Sequence, residues 1–262
     1  MALKDILSEV PPTRGYYYME AIKARALTKV FGDLVAVDHI DLDIQSGVVY
    51  GLLGPNGAGK TTTFRMIYGV LKPTAGKVWV YGYDVSKEPV KAKKMIGVLP
   101  EDTGIYPRLT AEENLIYFGK LHGMPEAELR RKVEEYLSIL ELEEKRDFIA
   151  EKLSKGQRKK VAFIRAILHD PPILLLDEPT TGVDVVSARE IRHMIKEYAE
   201  RGNTVVLASH NMLEVEQLCD VVSIMHKGKI IHTGSIEEIK RLEGVKELEE
   251  VFVRLVRAEV IE

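Results

Sequence analysis

Eight residues constrain the fold more than any other stretch of the chain: GPNGAGKT, residues 54–61. They match G-x-x-x-x-G-K-[ST] and lie between a continuous apolar run, VVYGLL (48–53), and a segment of helical pattern from about Gly59 to Val70. That strand–loop–helix setting is what the motif needs in order to act as a phosphate cradle. Gly54, Gly57 and Gly59 let the backbone turn tightly and aim several N–H groups at one point, with Pro55, Asn56 and Ala58 completing the loop. The helix start adds its positive end. Lys60 brings a mobile ammonium for terminal phosphates, Thr61 a hydroxyl suited to Mg²⁺, and Thr62 a further phosphate contact. A glycine-rich turn with a chance lysine is the bland alternative, and the strand–helix setting weighs against it. The loop reads as a nucleoside triphosphate site.

Many unrelated activities share such a loop. No N-K-x-D element for reading guanine occurs in the chain, so the remaining sequence has to discriminate. Residues 1–20 form an appendage in which Pro11, Pro12 and Gly15 interrupt any strand or helix period, and patterned sequence begins just after Met19. Packing of Tyr16–Tyr18 on the chain's own domain is the simpler reading of that cluster. From Ile22 to Ile44 apolar and polar residues alternate, with turn signals at Gly32-Asp33 and His39, as in short antiparallel strands. KVWVYG (77–82) and MIGVLP (95–100) read as strands, and residues 111–142 carry two helical patterns split by HGMPE. Beyond a helix at 157–169, strand 173–177, helix 185–201, strand 204–208, helix 211–218 and strand 221–226 alternate. This order implies a parallel sheet. Leu248, Val251, Phe252 and Leu255 recur at helical spacing and read as a docking helix for the same domain.

With 45% hydrophobic and 29% charged residues the 262-residue chain has an ordinary globular composition. A net charge of -3 gives no reason to expect a nucleic-acid partner. The single cysteine, Cys219, excludes an internal disulfide and suits a reducing compartment. No run of about 18 apolar residues is present, so an action on a membrane process would need a second polypeptide for the span.

A second anion site is written in LSKGQRKKV (153–161), where Ser154, Lys155, Gly156 and Gln157 open a helix. The same residues are also a capping box, Ser154 with Gln157 three positions on, and the two readings are compatible. Lys155, Arg158, Lys159 and Lys160 form a basic run without interleaved aromatics, which reads as a solvated helix face. In ILLLDEPTTG (173–182), Asp177 and Glu178 close an apolar strand. Neighbouring strand residues point to opposite faces, but Pro179 cannot extend a central ladder. The strand is therefore expected to end near Asp177, freeing Glu178 to turn toward the same phosphate.

The order of GPNGAGKTT, a helical block, LSKGQ, LLLDEP, TGVD and SHNM resembles the nucleotide-binding subunit of ABC transporters, from about Ile22 to Ile239. TAGKVWVYG, VLPEDTGIYPRLTAEENL and LEEVF look most like the exporter-type ATPases of drug, lipid or polysaccharide efflux. The resemblance implies an α/β P-loop domain over residues 21–241, with a mostly parallel core sheet, an N-terminal antiparallel β subdomain and an inserted helical subdomain at about 105–165. Residues 242–262 would be a helical extension. It also implies ATP and Mg²⁺ bound in a head-to-tail dimer with itself or a paralogous ATPase. Integral-membrane permease subunits would be the other partners, at the cytoplasmic face of the cell membrane. Carried over by position, Phe31 stacks on adenine, although without the family it reads as a core residue. Lys60 and Thr61 hold phosphate and Mg²⁺, Ser154 and Gly156 reach the partner's nucleotide, and Asp184 lies at the dimer seam. Asp177 holds the metal, Glu178 polarises water, and His210 senses the γ-phosphate. Two positions depart from the pattern. Lys155 replaces a glycine, and Glu101 stands where a metal-contacting glutamine is usual; a carboxylate also ligates Mg²⁺, while the alternative for Glu101 is a solvated loop residue. A soluble ABC ATPase of a cytosolic assembly or repair process is the rival reading. The remaining histidines show no metal-ligand spacing.

Overall fold

The alternating N-terminal segment forms a hairpin, β1 (Glu20–Phe31) against β2 (Leu34–Gln45), turning at Gly32-Asp33. The computed structural model describes residues 19–261, so Tyr16–Tyr18 lie outside the described residues. His39 is not a turn: it sits within β2 at φ 51°, where the register to β1 slips. β4 (Ala75–Val80) and the short β5 (Tyr83–Asp84) complete an antiparallel sheet of order β2-β1-β4-β5.

The second sheet holds β3 (Val49–Leu53), β6 (Ile96–Leu99), β7 (Ile173–Asp177), β8 (Thr204–Ser209), β9 (Val221–His226) and β10 (Lys229–Ser235), in the order β10-β9-β3-β8-β7-β6. All neighbours are parallel except β10, which returns beside β9 through Lys227 and Gly228, both at positive φ. Two consecutive positive-φ residues suit a tight hairpin between twisted strands. Strand alternation divides the core in two. Leu52, Leu175 and Val206 pack toward the antiparallel sheet with Ile22, Leu27 and Phe64, whereas Leu53, Leu176 and Leu207 face Phe163, Ile191 and Ile195 on the other side. Both faces are covered, which is why these strands read as unbroken apolar runs.

Register sets the site. Leu53 pairs with Ser209, Asp177 with Ala208 and Leu99 with Leu176. Four strands therefore end level, and the loops carrying Gly54, Glu101, Glu178 and His210 leave one edge of the sheet, where open α/β sheets bind ligands.

The phosphate-loop helix is α1 (Lys60–Ile67), and the short α2 (Pro89–Lys94) precedes β6. Residues 111–142 give α3 (Ala111–Leu121) and α4 (Glu126–Ile139), packed on α5 (Lys155–Ile167) through Leu115, Leu129, Val133 and Phe163. Thr110 and Glu113 form a capping box that starts α3. α6 (Val185–Ala199) and α7 (Met212–Leu218) flank β8, and α8 (Ile236–Glu243) leads to α9 (Leu248–Ile261). Leu248 and Val251 are buried in the main core, with Phe252 and Leu255 against it, as a docking helix requires. Among the described residues no helix is long and apolar enough to cross a membrane.

Candidate nucleotide site

Between Leu53 and Lys60 the backbone needs a conformation closed to side chains. Gly59 has φ 108°, and a Cβ there would lie 2.5 Å from the Ala36 carbonyl oxygen and 2.6 Å from Met225 Cε. The Gly228 amide donates to the Ala58 carbonyl at 3.0 Å, tying the loop to the β9–β10 hairpin. Lys60, only 6% exposed, folds back to donate to the carbonyls of Gly54 (2.7 Å) and Pro55 (3.1 Å). Its Nζ stands 3.7 Å from Glu178 Oε1. Burial pulls its pKa below the usual lysine range, opposed by Glu178 and Asp177.

The loop walls a cleft of about 610 Å³. Phe31, Leu34 and Val35 form an apolar end, while Asn56 to Thr62, Glu101, Glu178, Thr181 and His210 line the polar remainder. Phe31 is 47% exposed with Lys29 Nζ 5.0 Å from its ring centroid, so it is not a core residue.

At the end of β7 the two acids part as expected. β7 stops at Asp177, and Glu178 turns into the left-handed region, φ 49°, a strained conformation for a residue with a Cβ. Its carboxylate is held on both oxygens. Oε1 accepts the His210 amide at 3.1 Å and lies 2.8 Å from His210 Nδ1, and Oε2 accepts the Thr181 hydroxyl at 2.8 Å. Asp177 stays buried beneath. Burial raises its pKa, with the Thr61 hydroxyl opposing, and its Oδ1 has no hydrogen-bond partner. An orphaned buried carboxylate oxygen beside a hydroxyl fits a divalent cation of the Mg²⁺ type, which binds one or two carboxylates and takes further oxygens from a phosphate substrate.

Ser154 to Gln157 and Asp184 do not line this cleft. Ser154 caps α5 with both halves of the capping box formed: Gln157 N donates to Ser154 Oγ (3.1 Å), and Ser154 N to Gln157 Oε1 (2.9 Å). The helix start packs on the segment that opens α6. A Cβ on Gly156 would overlap Ser187 Oγ and come within 3.3 Å of Asp184 Oδ2. Asp184 caps α6 by accepting from Ser187 N (2.9 Å) and Ser187 Oγ (2.7 Å), bonds that lower its pKa. The start of α5 and the phosphate loop thus lie on separate surfaces of the chain.

These features agree with the comparisons. A family profile described as ABC transporter matches residues 37–181. The chain belongs to the ABC transporter family. The ATP-binding protein NatA of Bacillus subtilis is 43% identical over 198 residues, 74% of this chain and 79% of the relative. The bacitracin transport ATP-binding protein BcrA of Bacillus licheniformis is 40% identical, covering 79% of this chain and 67% of the relative. Among solved structures, an ATP-binding subunit of an ABC transporter superposes with TM-score 0.83 at 28% identity, over 90% of this chain and 99% of that one. The dimeric structure of MJ0796, a bacterial ABC transporter cassette, gives 0.75 at 28%, over 82% and 98%. The ABC fold, with its antiparallel subdomain and inserted helices, is the one described above.

Two residues of this site, Thr181 and Glu214, carry no signal in the sequence. Thr181 holds Glu178 Oε2. Glu214, 2% exposed, accepts the hydroxyls of Thr180 (2.6 Å) and Ser209 (3.0 Å), linking the turn after Glu178 to the residue before His210. Lys159 and Lys160 correct the expected solvated face: both are buried. Lys159 Nζ donates to the main-chain oxygens of Glu101 (2.8 Å) and Glu178 (3.1 Å). Helical spacing offered one signal, since position 159 is three places before Ala162 and four before Phe163 on the buried face of α5.

Proposed function

We propose that this ABC subunit hydrolyses ATP at the interface of a head-to-tail dimer, with a second copy or a paralogue, and so drives export through separate integral-membrane permease subunits at the cytoplasmic face of the membrane. The observation that carries the reading is the Glu178 carboxylate. It is gripped by His210 and Thr181 at the mouth of the phosphate loop, 3.7 Å from Lys60.

Phe31 stacks on the adenine at the apolar end of the cleft. The loop amides and Lys60 take the phosphates, Lys60 exchanging the Gly54 and Pro55 carbonyls for phosphate oxygens. Thr62 adds a contact there. Thr61 and Asp177 would hold Mg²⁺, with Glu101 as a further ligand. Bound Mg²⁺ supplies charge neutralisation at the phosphate oxygens. Glu178 orients the attacking water and accepts its proton, and His210 keeps that carboxylate aimed while facing the γ-phosphate. Ser154, Lys155, Gly156 and Gln157 close over the partner's nucleotide, with Asp184 beside them at the seam.

Relatives named for bacitracin transport, linearmycin resistance and Nod factor export support the export direction. The reading is tested by purifying the full chain from detergent-solubilised membranes of its source cells and assaying ATP turnover. A stoichiometric polytopic membrane protein and Mg²⁺-dependent turnover are expected. Recovery only from the soluble fraction, with a cytosolic partner, contradicts it. For Glu101, Glu101→Gln and Glu101→Ala both leaving Mg²⁺ dependence and turnover unchanged would remove it from the metal site.

A further inference from the structure

We propose that Lys159 is a positioning residue for hydrolysis: from α5, its ammonium holds the main chain of Glu178 and of the Glu101 loop in one frame. The proposal rests on the hydrolytic reading given above.

Lys159 has no exposed surface, and its Nζ donates to Glu101 O at 2.8 Å and Glu178 O at 3.1 Å. Burying an ammonium is costly unless it is paired and hydrogen-bonded. A lysine that only filled the core would be replaced at lower cost by a methionine. Both segments that Lys159 holds need outside support. Glu178 stands at φ 49° and Thr103, two residues after Glu101, at φ 65°. Such conformations persist where surrounding contacts over-determine them. Arg165, further along α5, reinforces the Glu101 loop by donating to Gly104 O (2.5 Å) and Val98 O (3.2 Å).

Charge fits the same role. Burial, and then Lys155, pull the Lys159 pKa down to about 8, while Asp177, Glu101 and Glu178 oppose the shift. The Glu101 carboxylate is thus one of three acids that act on this buried cation. Lys160, one residue on and also buried, bonds instead to Leu140 O (3.2 Å) and Glu190 (2.8 Å), away from the cleft. The adjacent pair separates a positioning lysine from a structural one. Ser154 and Gly156 lie at the start of the same helix, and in the proposed dimer they face the partner's nucleotide.

The test compares Lys159→Met, Lys159→Gln and Lys160→Met in the full chain by kcat, KM, affinity for a fluorescent ATP analogue and thermal midpoint. Loss of a charged hydrogen-bond pair predicts a kcat about 10- to 100-fold lower for Lys159→Met, with nucleotide affinity within about threefold of wild type. Lys159→Gln, which keeps a donor, should fall between the two, and Lys160→Met should lower the thermal midpoint while leaving kcat unchanged. Wild-type turnover in Lys159→Met overturns the proposal, as does a kcat loss matched by an equal loss of affinity or reproduced in Lys160→Met. If Lys159→Met does not fold, Lys159→Gln decides by the same criteria. An inactive wild-type chain defeats the hydrolytic reading and this proposal together. An active wild type that Glu178→Gln silences, with Lys159→Met at full rate, defeats only the role of Lys159.

Discussion

The imidazole Nδ1 of His210 lies 2.8 Å from Glu178 Oε1, and that oxygen also accepts the His210 main-chain amide at 3.1 Å. One residue thus grips the carboxylate twice, across two adjacent parallel strands whose ends are level. The double grip leaves Glu178 one aim, toward the phosphate loop.

Lys60 should separate binding from stability. Burial is the largest influence on it and disfavours its charge, so the ammonium costs stability near neutral pH. In Lys60→Met, the apo thermal midpoint should not fall. ATP at about 100 times its Kd stabilises a binding protein by ~2.7 kcal/mol, and scanning calorimetry of Lys60→Met should lose that upshift.

Glu214 braces the two loops that carry Glu178 and His210. Glu214→Ala strands the buried hydroxyls of Thr180 and Ser209 and should cost about 2–4 kcal/mol in chemical denaturation, with reduced turnover. Burial already raises the pKa of this carboxylate. Glu214→Gln, which accepts from one hydroxyl and donates to the other, should stay near wild type in both measurements.

Acid should weaken the joint between α3 and α5. His122 and His169 stack with ring centroids 3.7 Å apart, and burial holds His169 at about pKa 3. The unfolded chain binds a proton near pH 6.5 that the folded chain refuses, so this contribution is full above that pH and is lost as pH falls toward 3. At pH 5 the loss is about 2 kcal/mol. His169→Phe, which keeps the stack, should flatten the fall in thermal midpoint between pH 7 and pH 5.

Much of this was legible beforehand for physical reasons. The phosphate loop needs its glycines in sequence order, and strands covered on both faces must be apolar throughout, so β3, β7 and β8 announced themselves. The break after Asp177 followed from Pro179. What stayed hidden depends on chain crossings that local patterns do not record. β5 is two residues long, and α2 has six with no apolar stripe. Lys159 looked like one charge in a basic run, because its targets are backbone oxygens 58 and 19 positions away. Glu214 has no local signal, since its partner Thr180 is 34 residues distant. His122 and His169 meet only after the helical block folds back on α5.

The central claim is that Glu178 activates the water that attacks ATP. Its most direct test is single-turnover ATP hydrolysis by Glu178→Gln beside equilibrium ATP binding. The side chain keeps its size and loses its basicity, so turnover should fall by about 10²-fold or more, with ATP affinity retained and a dimer accumulating with ATP in size-exclusion chromatography. Hydrolysis at near the wild-type rate would contradict the account.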